Sequence, residues 1–331
     1  MKGIRLGISL FLIALATGRT SHAESWTALS RSEYDLREEL TSRAESAVQA
    51  KSSSAMESTG AETLFEALRA KEKGIYGVDD RQDVFSATDT AVKENARSTV
   101  ALIHRDNMEL RQDGSWRLKP VPSLGQAFRL CSGEKFFHQP TAANCTGFLV
   151  DSQRIATAAH CVTSDLSARS YLVVFDYTML SDTAVREVYS GNDVYEIDSI
   201  ERADRGVADY AIVKLKRTVV GRSPVKYRTS GEIVLDSKVY VIGCPSGLPM
   251  KYAPGAWVRD SSNPVFFVAN LDTFGGNSGS PVFGAAGAVE GILVRGDADY
   301  IPVGACTKPS VCPTTGCLGE DCTRISQLGL N

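Results

Sequence analysis

Between about residues 75 and 300 the apolar positions fall in short runs of β-branched and aromatic residues separated by polar turns. Residues 100–103, 147–150, 154–158, 171–175, 194–200 and 211–215 make one series; residues 239–242, 256–259, 265–269, 281–283 and 291–294 make a second. Short strands at this spacing predict an all-β protein, a barrel or a sandwich. The two series span about 95–215 and 227–300, with a polar link over residues 216–226. A short helix is expected over residues 320–328.

The first quarter of the chain has a different pattern. Leu36, Leu40 and Ala44 recur at four-residue spacing, as do Leu64 and Leu68, which predicts two short amphipathic helices, the second stopped by Gly74. A Ser-rich stretch over residues 51–60 reads as a flexible linker between them. Ahead of both, Lys2 and Arg5 precede an apolar stretch from Leu6 to Ala16, and Ser21-His22-Ala23 puts small residues where a signal peptidase inspects. The apolar run is far short of the roughly 20 residues of a membrane span, so residues 1–23 read as a secretory signal. The product is expected to be secreted into an oxidising compartment, periplasmic or extracellular.

Composition narrows the partners. The 331 residues are 43% hydrophobic, and Lys+Arg 36 against Asp+Glu 39 leaves a net charge of −3. That permits an ordinary globular core and gives no basic surplus for nucleic acid or an anionic membrane.

Candidate chemistry centres on Gly275-Gly276-Asn277-Ser278-Gly279-Ser280-Pro281, a tight glycine-rich turn. Acyl transfer needs an exposed hydroxyl, a base for its proton and backbone N–H groups aimed at the oxyanion. Ser278 supplies the first, and the N–H groups of Gly276 and Ser278 suit the third. Among the four histidines, His22 lies in the leader, His104 in a strand-like run and His138 in a proline-bounded loop. His160, in Thr157-Ala158-Ala159-His160-Cys161, is the candidate base. Asp209 opens the alternating run Tyr210-Ala211-Ile212-Val213-Lys214-Leu215 and could hold the imidazole in one tautomer.

Taken together, TAAHC, DYAIVKL and GNSGSP, in the order His, Asp, Ser, resemble the three motifs of the chymotrypsin-like serine proteases. GGNSGSP and the upstream Gly77-Val78-Asp79-Asp80-Arg81 are similar to the bacterial glutamyl endopeptidase-like branch, and the resemblance covers about residues 75 to 325. It implies two six-stranded antiparallel β-barrels with the active site between them. It implies His160 as general acid and base, Asp209 as its orienter, Ser278 as nucleophile, and an oxyanion hole of Gly276 and Ser278. The expected protein is thus a secreted, monomeric, cofactor-free and metal-free serine endopeptidase acting on proteins or peptides. Its rival is a catalytically silent relative that binds a partner on the barrel surface.

The resemblance also suggests that residues 24–74 are a propeptide removed by an activating protease, a retained extension being the alternative. In zymogens of this kind the new ammonium pairs with an aspartate just before the nucleophile. Here that residue is Asn277, so some other acceptor must order the site. At positions matched to the specificity pocket stand Asp272, Thr273, Leu293 and Gly296. Asp272 would favour a basic P1 residue, whereas Leu293 stands where glutamate-specific relatives carry a histidine. Arg295, on the same strand face as Leu293, could instead neutralise Asp272.

The chain has eight cysteines. The resemblance implies that Cys145 bonds Cys161. The tail over residues 301–331 carries Cys306, Cys312, Cys317 and Cys322, whose spacing lacks the close pairs of most zinc modules, so disulfides are expected over metal. With Cys131 and Cys244 they leave the pairing open.

Overall fold

The first series of strands closes on itself. In the computed structural model, which describes residues 74–295, 299–317 and 319–330, the barrel runs Val194–Asp204, Tyr210–Leu215, Arg154–Ala158, Ala143–Leu149, Thr99–His104, Tyr171–Phe175 and back to the first. Every pairing is antiparallel. Val100, Ala101, Leu102 and Ile103 are all wholly buried, which explains a run that is continuously apolar rather than alternating. The expected leader, the two N-terminal helices and the propeptide up to residue 73 lie outside the described residues.

The second barrel takes the order Lys238–Gly243, Pro281–Gly284, Val289–Arg295, Glu320–Arg324, Phe266–Ala269 and Lys251–Asp260, closed by pairing of the last with the first. Gln82–Asp83 adds a short strand to the outside of Lys251–Asp260. The sixth barrel strand falls where a helix is expected. Glu320–Arg324 pairs with Phe266–Ala269 on one side and Val289–Arg295 on the other, and the wholly buried Cys322 stands opposite both Phe267 and Leu293. A closing barrel needs a strand there, and that demand overrides a weak local preference. Only Ile325–Leu328 coils, into a single 3₁₀ turn.

Residues before the first barrel and in the tail form smaller pieces. Helix Thr90–Ser98, capped by Asp89, whose carboxylate accepts from the Ala91 N–H at 2.8 Å, buries Val92 and Ala96. In the tail, Tyr300–Val303 and Cys306–Pro309 form a hairpin, and Val311–Cys312 runs parallel to Ile75–Tyr76. Three disulfides staple these parts: Cys131–Cys306, Cys145–Cys161 and Cys312–Cys317. The tail cysteines therefore do not converge on a four-thiolate metal site. Cys244 and Cys322 are buried, and burial pushes the Cys244 thiol up to about 12. Among the described residues no helix is long and apolar enough to cross a membrane.

Candidate active site

Strand register brings the first two residues together. Ala158 pairs with Tyr210, so the chain leaves two neighbouring strand ends at Ala159 and Asp209, and the Ala159 N–H donates to the Asp209 carbonyl at 3.1 Å. A single 3₁₀ turn, Ala159–Cys161, then presents His160. Both carboxylate oxygens of Asp209 are engaged on that histidine: Oδ1 accepts from the backbone N–H at 3.0 Å, and Oδ2 lies 2.7 Å from Nδ1. Asp209 adopts φ +44, a left-handed conformation that aspartate tolerates better than most residues. It is largely covered, while His160 is half-open, and the Cys145–Cys161 disulfide fixes the turn between them. With Nδ1 facing a carboxylate, Nε2 is the nitrogen left to face a substrate.

The other candidates have local work. His104 accepts the Asp106 N–H at 3.3 Å, and His138 packs edge-on against Phe137. Asp204 accepts the Gly206 N–H at 2.7 Å within its own turn. Cys145, His160 and Cys161 lie close enough to hold an ion, but both sulfurs are bonded to each other and offer no thiolate.

Ser278 comes from the second barrel, on the loop between Phe266–Ala269 and Pro281–Gly284. That loop is pressed against the strand pair that carries His160. The Thr146 N–H donates to the Ser278 carbonyl at 2.9 Å. A Cβ on Gly279 would stand 2.1 Å from the Thr146 carbonyl oxygen and 2.9 Å from the Ala158 nitrogen, so only glycine allows this approach. Gly276, at φ +90, is equally constrained, because a Cβ there would meet the Cys244 carbonyl at 2.4 Å.

The directions of the loop's peptides follow from what its carbonyls do. The Gly275 carbonyl accepts from the Ser246 N–H at 2.5 Å, and the Gly276 carbonyl accepts from Thr146 Oγ1 at 2.8 Å. The Asn277 carbonyl accepts from the Ser280 N–H at 2.8 Å. In a planar trans peptide the N–H points opposite to the carbonyl, so the Gly276 N–H faces away from Ser246 and the Ser278 N–H away from Ser280. No local motif in the sequence marks Thr146 or Ser246. Ser246 carries a signal visible only in the backbone, φ +53 in a non-glycine residue.

The expected specificity residues are placed differently. Asp272 is not an open acid waiting for a substrate cation: its carboxylate accepts the Tyr76 N–H at 2.7 Å and the Asp80 N–H at 3.1 Å. It thereby ties the segment after Gly74 beneath the nucleophile loop. Leu293 is wholly buried in the core of the second barrel, and its carbonyl accepts the Gly279 N–H at 2.7 Å. Arg295 does not neutralise Asp272; it pairs with Asp321 at 3.1 Å. Thr273 is wholly buried, and its hydroxyl has no hydrogen-bond partner among the described residues. Gly296 lies outside the described residues. Beside Asp272, the wholly buried Arg81 pairs with Asp79 at 2.8 Å and lies over the Phe274 ring at 4.3 Å.

Asp80 next to Asp272 makes a carboxyl pair that responds to pH. Burial, then the Asp272 charge, push the Asp80 carboxyl up to about 7, with Asp79 adding in the same direction and Lys135 opposing it. The folded protein therefore holds a proton that the unfolded chain releases near pH 4. The stability tied to that proton is complete below about pH 4 and is lost as pH rises through about 7. Asp80→Asn, neutral at every pH, is expected to lie nearest wild-type Tm below pH 4 and to exceed it by a margin that grows up to about pH 7 and then stays constant to pH 8. Parallel Tm profiles for the two proteins would remove the pair as a pH-sensitive element.

Comparison with known proteins places the central region in a family. Residues 145–292 match the trypsin-like peptidase domain family. Solved structures similar to this chain include a serine endoprotease from Yersinia pestis, at 13% identity and a TM-score of 0.45, covering 74% of this chain. The match spans 64% of the length of that endoprotease. The active form of a protease from M. tuberculosis aligns at 15% identity, 78% of this chain, 88% of its own and a TM-score of 0.43. A Glu endopeptidase in complex with MPD aligns at 15% identity, 77% of this chain, 96% of its own and a TM-score of 0.45. A search of curated protein sequences finds no significant match.

Proposed function

We propose, from the premise that this chain is a chymotrypsin-like serine protease with its trypsin-like peptidase domain over residues 145–292, that it is a secreted endopeptidase working through an acyl-enzyme. The observation that carries the reading is the two-point grip of Asp209 on His160, at 3.0 Å and 2.7 Å. A silent binding relative has no use for a histidine held in one tautomer.

Ser278 Oγ attacks the scissile carbonyl carbon as its proton passes to His160 Nε2, and the carbonyl oxygen becomes an oxyanion. The N–H groups of Gly276 and Ser278 hold that oxyanion, while Asp209 stabilises the imidazolium through the Nδ1–H. Collapse breaks the C–N bond, and His160 returns the proton to the leaving amine. Water then attacks the acyl-enzyme by the same proton route and frees the acid product and Ser278.

Residues 1–23 serve as the export signal and residues 24–74 as the propeptide in this reading. Two observations support a mature start near Ile75. The Ile75 N–H donates to the Ser310 carbonyl at 2.9 Å, and Asp272 holds the amides of Tyr76 and Asp80. Asp272 thus ties the segment after the cleavage to the nucleophile loop through two backbone amides, an anchor of a different kind from the ion pair that Asn277 cannot form.

One experiment tests these assignments together: fluorophosphonate labelling of the exported protein, with mass spectrometry of the labelled peptide and of the intact chain. Label on Ser278 that is lost in His160→Ala, on a chain starting near Ile75, is the expected result. A folded, processed chain that never labels ends the enzyme reading. Label on a chain still starting at Glu24 ends the propeptide reading.

A further inference from the structure

We propose that Asp299 is a positioning residue for the oxyanion loop, its carboxylate holding the Gly275 N–H while Ser246 holds the Gly275 carbonyl. The inference rests on the reading of Gly276 as an oxyanion donor.

Gly275 and Gly276 are adjacent glycines with no side chain to anchor them, and such a pair has more backbone freedom to lose than any other. If the peptide between them turned over, the Gly276 N–H would leave the site and a carbonyl would take its place. Ser246 opposes that rotation directly, through the Gly275 carbonyl, and Asp299 fixes the peptide on the other side of Gly275. Asp299 Oδ2 accepts the Gly275 N–H at 2.7 Å, and a Cβ on Gly275 would stand only 3.0 Å from the same oxygen. Ser246 grips the other end of the residue, its N–H on the Gly275 carbonyl at 2.5 Å. Tyr300, next to Asp299, joins the two grips: its hydroxyl lies 2.6 Å from Ser246 Oγ and its ring packs on Phe274 at 5.0 Å.

The tail that carries Asp299 is itself held. The Asp299 carbonyl accepts the Ser310 N–H at 2.9 Å. Farther along, the Cys131–Cys306 disulfide and two hydrogen bonds of Thr307, to Arg129 and Cys131, fasten the hairpin to the segment after Phe128. A segment beyond the barrel strand Val289–Arg295 thus reaches back to the residue before the oxyanion donor.

Charge and grip make opposite predictions for this aspartate. A carboxylate near a developing oxyanion opposes it electrostatically, so if charge were its main effect, neutralising it would speed the reaction. If the grip dominates, removing the acceptor slows the reaction, and an uncharged acceptor of the same shape preserves it. The test therefore uses Asp299→Ala and Asp299→Asn, with kcat and KM on a peptide amide and the Ki of a peptide trifluoromethyl ketone, whose adduct on Ser278 places an oxyanion in the hole.

Asp299→Ala is expected to lose about 10- to 100-fold in kcat, short of the 10²–10³ for deleting a donor outright. KM should stay within about twofold and the ketone should weaken by the same factor as kcat, because the lost interaction belongs to the oxyanion state. Asp299→Asn should stay within about threefold of wild type, since its side-chain carbonyl can still accept the N–H. An alanine variant with unchanged kcat, a loss confined to KM, or an asparagine variant that falls as far as alanine would overturn the proposal. If Asp299→Ala does not fold, Asp299→Glu, which keeps the charge but displaces the acceptor, must show the same loss in kcat alone. A wild type that labels and turns over beside an unaffected alanine variant removes the positioning role only. A wild type that never labels removes the enzyme reading and this role with it.

Discussion

Ser278→Ala is expected to lower kcat by about 10⁶-fold, the scale seen when the nucleophile of a working triad is deleted. Tm and substrate affinity should be nearly unchanged. The side chain is almost covered, and the loop is held through backbone atoms that alanine keeps: the Ser278 carbonyl on the Thr146 N–H, and the Gly276 carbonyl on Thr146 Oγ1. Rates for the variant should be measured with enough protein to see residual turnover, alongside thermal unfolding and inhibition by a product peptide. A loss of less than about 10³-fold would point to a second hydroxyl, since binding and the oxyanion hole alone leave a rate roughly 10⁶-fold below that of an intact triad. Ser280 is the nearest alternative, but it is wholly buried with its hydroxyl 3.4 Å from Asn277 Oδ1.

Asp209→Asn is expected to cost about 10⁴-fold in kcat with little change in KM. The carboxylate now accepts from both the backbone and the ring of His160. An amide can replace one of these bonds, but by turning its NH₂ to Nδ1 it would move the ring proton to Nε2, where no proton can be taken from Ser278. Asparagine is the informative choice because it also tolerates the left-handed φ of +44, so the loss reflects the tautomer and not a strained backbone. A drop below about tenfold would hand the role to another carboxylate. Asp204 is then the one to test, although its Oδ1 is bonded to the Gly206 N–H.

Both predictions concern residues legible without coordinates. His160, Asp209 and Ser278 each stand in a short local pattern, a strand end or a glycine turn, and the two series of β-branched runs are likewise local signals. So the first barrel and most of the second are readable from the chain. Their register is not. The contact between Asp209 and His160 depends on Ala158 pairing with Tyr210, residues more than fifty positions apart once the intervening chain is included.

Where partners are far apart in sequence, only the tertiary structure decides. Glu320–Arg324 has a weak local pattern and becomes a strand because two barrel edges need a neighbour. Asp272 stands at the position of a specificity acid, yet Tyr76 and Asp80, 196 and 192 residues earlier, take its two oxygens. Cys131 and Cys306 are 175 residues apart, and Asp299 meets Gly275 with two barrel strands between them in the chain. A carboxylate or a thiol has the same composition whether it faces substrate, backbone or another sulfur. Sequence supplied the chemical groups and most of the strands that carry them; barrel closure chose which groups face each other, because burial drives most polar atoms to take whatever partner the packing brings within reach.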